Sequence, residues 1–396
     1  MRILVAEDNK DSQNLIKLHL EKEGYEVITA DDGQEALEIF QRGDFRLIVT
    51  DWIMPKMGGV ELCQKIRESS SDGYVYVILL TAKEEKKDLV QAMAQGADDY
   101  ITKPYDRGEL IARIRAGQRI VMLEQELSNK NRELATTNER MEKDLIAARE
   151  LQQSFLPKKA PSVPGVSFSW FYEPCERVGG DTFSFFSINE EHVLFYVADV
   201  SGHGVPAAML SVTLSRIMHP DPRLGGILAE QGKTQNAYQV LPPVKVAELL
   251  NRRFPMDSDV GQYFTLLYGT LHLPSQVLKV VQAGHPYLLF LEKNGETHFH
   301  VTPGFPIGMF DEPNYKEETI QLSEGDSFFL YSDGVIDAEN HDALAFGNEG
   351  LAKAVENQQD KSITETTEKI LKSVLNFCEE KPIDDDMTLV GISICG

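Results

Sequence analysis

From its first residues the chain alternates short apolar runs with stretches whose apolar residues recur three or four positions apart, a pattern that predicts a parallel sheet covered by helices. The expected strands are ILVA, VIT, LIVT, VYVILL and DYI, and the expected helices between them are QNLIKLHLEK, GQEALEIF, VELCQKI and KKDLVQAMAQ. Right-handed crossovers then give a doubly wound α/β domain. Ligands of such sheets collect at the carboxyl ends of the strands. Glu7 and Asp8 follow the first run, Asp51 ends the third, Thr81 ends the fourth and Lys103 follows the fifth.

The period then changes. Ile120, Leu127, Leu134, Met141, Ala148 and Phe155 fall seven residues apart, the repeat that keeps one helical seam facing a partner helix. Asn131 and Asn138 stand at the alternate seam positions, where a buried amide favours one register. A parallel, two-stranded coiled coil is expected, and a single amphipathic helix lying on its own domain is the alternative. Beyond Gly117 no Gly-Pro or Ser-rich break interrupts the path into the heptads, while Pro157, Pro161 and Pro164 end it. Past Gly165 the runs VSFSWFYEP, TFSFFSI, HVLFYVADV, YFTLLYGTLHL, LKVVQAGHPYLLFL, THFHV and DSFFLYSDG read as strands, with AAMLSVTLSRIM, VKVAELLNRRF and TETTEKILKSVLNF as helices. That mixture predicts an α+β layered domain. The expected organisation is a multidomain chain: a first domain over residues 1–120, a coiled-coil linker over 121–156 and a second domain over 157–396.

Charge narrows the chemistry. A chain of 396 residues with a formal net charge of -23 is poorly suited to phosphate backbones, so no nucleic-acid partner is expected. Cys63, Cys175, Cys378 and Cys395 lie far apart without paired ligand spacing and are expected to be reduced. The start MRILVAEDNK lacks the apolar core of a signal peptide, and no apolar run is long enough to span a bilayer. A cytoplasmic protein without membrane contact is expected.

Three carboxylates at one sheet edge repel unless a hard cation sits among them, and Mg2+ accepts a few carboxylates with water or phosphate completing its shell. One aspartate is then able to attack a phosphoryl group while the ion and Lys103 neutralise charge. The segments LVAEDN, VTDWIMPKMGG, LLTA and DDYITKP resemble, in order and spacing, the receiver domain of response regulators. The resemblance implies Asp51 as phosphoacceptor, Glu7 and Asp8 as the acidic pair that holds Mg2+ with it, and Lys103 as the neutralising lysine. It further implies Thr81 as switch hydroxyl, Tyr100 as switch aromatic, a cis-proline turn at Pro104, and a cognate histidine kinase or phosphotransfer protein as partner. A dianionic phosphate on Asp51 is expected to draw the Thr81 hydroxyl inward and let the Tyr100 ring fill the vacated space. Taken singly, Thr81 and Tyr100 read more readily as strand-end packing; together with Asp51 and Lys103 they read as the switch pair.

Four acidic motifs punctuate the second half: RVGGD ending at Asp181, ADVSGHG with Asp199, YSDGVIDA with Asp333, and DDDMT with Asp384, Asp385 and Asp386. Each alone is an ordinary turn. Together with AGHP, GFPIGM and the lead-in AARELQQSFLP, they resemble the PPM (protein phosphatase 2C-like) family of metal-dependent serine/threonine phosphatases, in its bacterial sigma-factor-regulating and sporulation branch. The resemblance runs over residues 144–396 and implies a β-sandwich flanked by helices. It implies two Mn2+ or Mg2+ ions held by Asp181, Asp199, the Val200 carbonyl, Asp333 and Asp385, with Asp386 outside that shell. Arg177 matches the arginine that grips the substrate phosphate. Paired cations acidify a shared water for in-line attack on phosphorus. His203 and His285 are candidates for the acid that protonates the leaving alkoxide, or are loop-packing residues. Ser184 stands where the branch often has a second acid, which puts an added metal contact there in doubt. Residues 220–243 read as a mobile loop.

The reading is a phosphorylation-controlled protein serine/threonine phosphatase, homodimeric through the coiled coil. By resemblance alone, its phosphoserine or phosphothreonine substrate is a STAS-domain anti-sigma-factor antagonist. The alternative is a non-catalytic, partner-binding output domain. GGDTF also resembles a diguanylate cyclase signature, but Thr182 replaces the glutamate which that chemistry needs.

Overall fold

The computed structural model describes residues 1–69, 73–82, 90, 92–188, 190–232, 238–255, 261–379 and 381–395. The chain divides into two compact units, Met1–Arg140 and Met141–Gly396. Among the described residues no helix is long and apolar enough to cross a membrane.

In the first unit, β1 (Arg2–Ala6), β2 (Glu26–Ala30), β3 (Leu47–Asp51), β4 (Tyr76–Thr81) and β5 (Asp99–Thr102) form one parallel sheet in the order β2-β1-β3-β4-β5. Near-continuous apolar strands mark a sheet covered on both faces. Leu4, Ile48 and Leu79 enter one apolar layer, and Ile3, Val49 and Leu80 enter the other. Helices Lys10–Lys22 and Gly33–Arg42 begin where Asn9 and Asp32 accept hydrogen bonds from first-turn N–H groups. The helix expected at KKDLVQAMAQ lies largely outside the described residues.

Helix Arg107–Gln153 runs without interruption through Gly117. A Cβ at Gly117 would stand 2.4 Å from the Tyr76 ring, so glycine serves close packing there rather than a break. Leu127, Leu134 and Met141 of the heptad seam are more than half exposed. Phe155, expected in the seam, lies beyond the helix: the Ser154 hydroxyl donates to the Leu151 carbonyl and the backbone tightens into turns ahead of Pro157. The helical heptads therefore end one repeat early.

The second unit is a sandwich of two five-stranded sheets. One has the order β15-β12-β11-β8-β7, from β7 (Thr182–Ile188), β8 (His192–Val200), β11 (Phe264–His272), β12 (Val277–Ala283) and β15 (Glu317–Gln321). The other has the order β14-β13-β16-β17-β6, from β6 (Val166–Glu173), β13 (Leu288–Leu291), β14 (Thr297–His300), β16 (Ser327–Tyr331) and β17 (Met387–Ile394). All pairings are antiparallel. Phe183, Phe195, Val197, Leu267, Phe328, Leu330 and Val390 fill the space between the sheets. Helices Val205–Ile217 and Pro243–Arg253 cover one outer face through Leu214 and Leu250, and helices Gly347–Val355 and Ile363–Cys378 cover the other through Leu351 and Ile370.

Two expectations need correction, and one strand was not foreseen. LKVVQAGHPYLLFL is two strands, because the chain leaves one sheet after Ala283 and joins the other at Leu288. MTLVGISI forms the strand β17 between β16 and β6, and its burial on both faces erased the alternation that marks a half-buried strand. The described parts of the segment expected to be a loop, 220–232 and 238–243, are packed, while 233–237 lie outside the described residues. Leu228 and Ala229 are buried in the core, and β9 (Ala229–Gln231) pairs with β10 (Tyr238–Val240).

Candidate active site

The receiver crevice is built at the strand ends, as the sheet dictates. Oxygen atoms of Glu7, Asp8 and Asp51 lie within 4.8 Å of one another. Lys103 Nζ donates to Glu7 Oε2 and to Asp51 Oδ2, both at 2.7 Å. Burial pushes the Glu7 carboxyl above its usual range, the Asp51 charge adds to that, and Lys103 opposes it. Burial pulls the Lys103 ammonium down, yet its bonds to Asp51 and Glu7 prevail and raise it. Such an all-oxygen trio fits a hard divalent cation. Thr81 is fully buried at the end of β4, and Tyr100 packs half-buried two residues into β5. The Lys103–Pro104 peptide is cis.

A second acidic centre forms at one end of the sandwich. Thr182 pairs with Ala198, which sets the start of β7 beside the end of β8; Tyr331 pairs with Leu389, which sets the end of β16 beside the start of β17. Asp181, Asp199, Asp333 and Asp385 occupy those four strand ends. Strand alternation supplies the direction. Val193, Phe195 and Val197 enter the inter-sheet core, so Asp199 faces it too, and Phe183 and Phe185 do the same for Asp181. Thr388 Oγ1 donates to Asp181 Oδ2 at 2.5 Å, joining one sheet to the other at this mouth.

Close approach here requires glycine. A Cβ at Gly180 would lie 2.9 Å from the Val200 carbonyl oxygen, and one at Gly334 would lie 2.2 Å from the Asp386 carbonyl oxygen. The buried Asp386 carboxylate accepts from the N–H groups of Cys175 at 2.8 Å, Gly180 at 2.5 Å and Asp181 at 3.3 Å. It is occupied by backbone donors and sets the RVGGD loop.

The charges work against each other. Asp199 is pushed up to about 7 by burial and then by Asp333, Asp385 and Asp386. Burial, Asp199 and Asp386 raise Asp181 well above the carboxylate range, against hydrogen bonds from Thr388 and Ser332. Burial, Asp385 and Asp337 push Asp333 up to about 6. Asp385 is raised as well, first by burial and further by Asp386 and Asp337, against the Asp386 amide. Bound cations relieve such mutual repulsion. Asp181 Oδ1 is buried without a hydrogen-bond partner among the described residues, as a ligand oxygen awaiting a cation would be. The donor set of carboxylates with the Val200 carbonyl suits Mg2+ or Mn2+.

Other predicted residues lie around this centre. Arg177 is exposed and its Nη2 meets Glu142 Oε1 at 2.5 Å; with Arg149, Cys175 and Gly204 it lines a groove of about 650 Å³. His203 is exposed and its Nδ1 lies 2.8 Å from Glu176 Oε1. His285 is buried, shares a 2.7 Å hydrogen bond with Thr265, and is pulled down to about 3 by burial. That environment keeps the ring neutral, and its Nε2 is buried without a hydrogen-bond partner among the described residues. Ser184 lies on the opposite face of β7 from Phe183 and Phe185, toward the helices, so the third position after Asp181 does not reach the acidic mouth.

Sequence reasoning missed three participants. Asp337 follows Asp333 by one helical turn and adds its charge to Asp333 and Asp385; the four-residue spacing in SDGVID was the available signal. Thr388 carried no signal of its own. Gln152 at the end of the long helix is buried and bonds both backbone groups of Gly179 and the Ser211 hydroxyl.

This two-part architecture defines a response-regulator receiver joined to a PP2C-like domain. The receiver-domain family model matches residues 3–115, and the model described as Stage II sporulation protein E (SpoIIE) matches residues 189–394. The chain belongs to the Stage II sporulation protein E family. It is similar to the phosphoserine phosphatase RsbP of Bacillus subtilis, 27% identical over 256 residues that cover 64% of this chain and 58% of that protein. Its receiver is similar to that of the alkaline phosphatase synthesis transcriptional regulatory protein PhoP of Bacillus subtilis, 41% identical over 115 residues, 29% of this chain and 47% of that protein. The chain thus spans about half the length of the curated relatives it matches. The SiaA-PP2C domain of Pseudomonas aeruginosa has the same fold, with a TM-score of 0.56 at 19% identity over 66% of this chain and 99% of that one.

Proposed function

We propose that the chain is a metal-dependent protein serine/threonine phosphatase whose output is controlled by phosphorylation of its receiver. The convergence of Asp181, Asp199, Asp333 and Asp385 on one end of the sandwich carries this reading. Asp199 is raised by burial and by three neighbouring carboxylates. Asp181, Asp199, the Val200 carbonyl, Asp333 and Asp385 would hold two Mn2+ or Mg2+ ions. When bound, such a pair supplies a water acidified enough to attack phosphorus near neutral pH.

The chain's own residues do the rest. Asp386 and Gln152 hold the RVGGD loop so that the Asp181 carboxylate stays aimed into the mouth. Arg177 borders the groove beside it, where its planar fork suits a phosphate monoester. In the receiver, Asp51 accepts the phosphoryl group from a histidine kinase or phosphotransfer protein. Glu7 and Asp8 complete a Mg2+ site with it, Lys103 neutralises the product, and Thr81 and Tyr100 relay the change. The exposed seam of Leu127, Leu134 and Met141 favours a homodimer through the linker, and RsbP, a phosphoserine phosphatase, supports a phosphoserine or phosphothreonine protein as substrate. A STAS-domain anti-sigma-factor antagonist is the substrate to test first.

The deciding experiment is Mn2+-dependent phosphate release from such a phosphoserine protein, with and without a small acyl-phosphate donor. Release by the wild type, lost in Asp199→Ala and altered by the donor only when Asp51 is intact, is the expected result. No release by the wild type would leave a partner-binding output domain, and equal release by Asp51→Asn with and without donor is the expected internal control.

A further inference from the structure

We propose that His298 and His300 form a surface site for one borderline divalent metal ion, Zn2+ in the first instance, separate from both acidic centres. The site does not depend on the phosphatase reading.

The two residues lie two apart on the edge strand β14, so the strand period puts both rings on one face. Phe290, opposite His298 on β13, fixes them: His298 stacks on it at 5.4 Å and 8°, and His300 meets it edge-on at 4.7 Å and 66°. Each ring turns its Nδ1 toward a carboxylate. His300 Nδ1 lies 3.2 Å from Glu318 Oε1, and His298 Nδ1 lies 3.5 Å from Glu292 Oε1.

An ionised carboxylate only accepts hydrogen bonds, so the Glu318 contact puts the His300 proton on Nδ1 and its lone pair on Nε2, and Glu292 beside His298 Nδ1 favours the same tautomer there. The two Nε2 atoms face each other at 3.0 Å. Lone pairs that close repel unless a cation lies between them. Two imidazole nitrogens bound to one ion at roughly 2.0–2.1 Å stand about 3.0–3.4 Å apart, depending on the coordination angle, and the observed separation is at the near edge of that window.

The carboxylates are themselves held in orienting positions. Glu318 Oε2 accepts from the Thr302 hydroxyl at 2.6 Å, and Glu292 Oε2 accepts from Asn294 Nδ2 at 3.0 Å. A carboxylate that fixes the tautomer of a ligating histidine is the usual support of a zinc site. The His298 and His300 side chains are 41% and 23% exposed, which gives an ion a way in and leaves its other positions to water. Nitrogen donors separate this site from the all-oxygen centres, which suit harder ions.

The test uses the full chain, stripped of metal and supplied with millimolar Mg2+ to occupy the carboxylate centres. Zn2+ is titrated against a chromophoric chelator, and imidazole 15N resonances are followed in parallel. One equivalent of Zn2+ is expected, with the His298 and His300 Nε2 resonances shifting on its addition. His298→Gln and His300→Gln should each weaken binding at least ~10-fold, and Glu318→Gln by about 10-fold. His272→Gln should leave it unchanged. Unaltered zinc affinity in folded His298→Gln protein overturns the site, as do Nε2 resonances that respond to pH but not to Zn2+, which would identify a shared proton instead. Should His300→Gln fail to fold, the half-exposed His298→Gln decides alone.

Discussion

The side-chain amide of Gln152 engages both backbone polar groups of Gly179: Nε2 donates to the carbonyl at 2.6 Å and Oε1 accepts from the N–H at 3.2 Å. Gln152 belongs to the last turn of the long helix, and Gly179 stands two residues before Asp181. The helix end therefore holds the loop that delivers the first carboxylate of the acidic centre. Gln152→Ala strands buried donors and acceptors, a loss of about 1–3 kcal/mol. Its expected effect is a several-fold higher Mn2+ concentration for half-maximal phosphatase activity, together with a lower unfolding midpoint in urea. An unchanged metal requirement would show that the loop is set by Asp386 alone.

Gly180→Ala tests the close approach directly. The added Cβ meets the Val200 carbonyl oxygen at 2.9 Å and Ala207 Cβ at 3.4 Å, so the loop must move by a few tenths of an ångström. Overpacking of this kind costs about 1–3 kcal/mol. The expected readouts are weakened Mn2+ binding by calorimetry and little change in far-ultraviolet circular dichroism.

The acidic centre also predicts a pH dependence with a definite sign. Asp199 and Asp333 are raised from 3.8 to about 7 and about 6 in the folded chain. Between about pH 4 and pH 7 the folded state therefore holds more protons than the unfolded one, and the unfolding free energy falls as pH rises through that window. Metal-free protein should melt at a lower temperature at pH 8 than at pH 5.5. Mn2+ should raise the melting temperature more at pH 8. Scanning calorimetry with and without Mn2+ at the two pH values checks both statements, and Asp199→Asn should flatten the metal-free dependence.

Lys103 answers for the receiver. Its ammonium is the cation between Glu7, which is 1% exposed, and Asp51. Lys103→Ala leaves two carboxylates facing each other, and a loss of about 1–3 kcal/mol is expected from the broken, partly buried pairs. In the phosphatase assay the variant should keep its basal rate and lose its response to the acyl-phosphate donor, as Asp51→Asn should.

The pair Arg177–Glu142 separates binding from folding. Both side chains are more than half exposed, so the bridge contributes no more than about 1 kcal/mol to stability. Arg177→Ala is expected to raise KM for the phosphoprotein several-fold at nearly constant melting temperature. Glu142→Gln, which frees the guanidinium, should lower KM; steady-state kinetics on the two variants reads both.

Much of this protein was legible from residues in a row. The doubly wound receiver followed from apolar runs separated by helical spacing, and its crevice from the rule that parallel strands share one carboxyl edge; Glu7, Asp51 and Lys103 met there because that rule is topological. The heptads announced a continuous helix for the same local reason. In the sandwich the acidic motifs were visible, yet their meeting was not a local property: it depends on β7 lying antiparallel to β8 and β16 to β17, with the two sheets stacked. The face of Ser184 and the depth of His285 were decided by burial, which short-range periodicity does not report, while the heptads stop before Phe155 in the turns that lead to Pro157. The hydrogen bonds from the Gly180 N–H to Asp386 and from the Thr388 hydroxyl to Asp181 join residues 206 and 207 positions apart. Residue type and spacing thus determined which groups are candidates for the chemistry, while only the packed sheets decided which of them touch, because contacts across so long a separation are selected by the fit of the whole core and leave no mark on their neighbours in the chain.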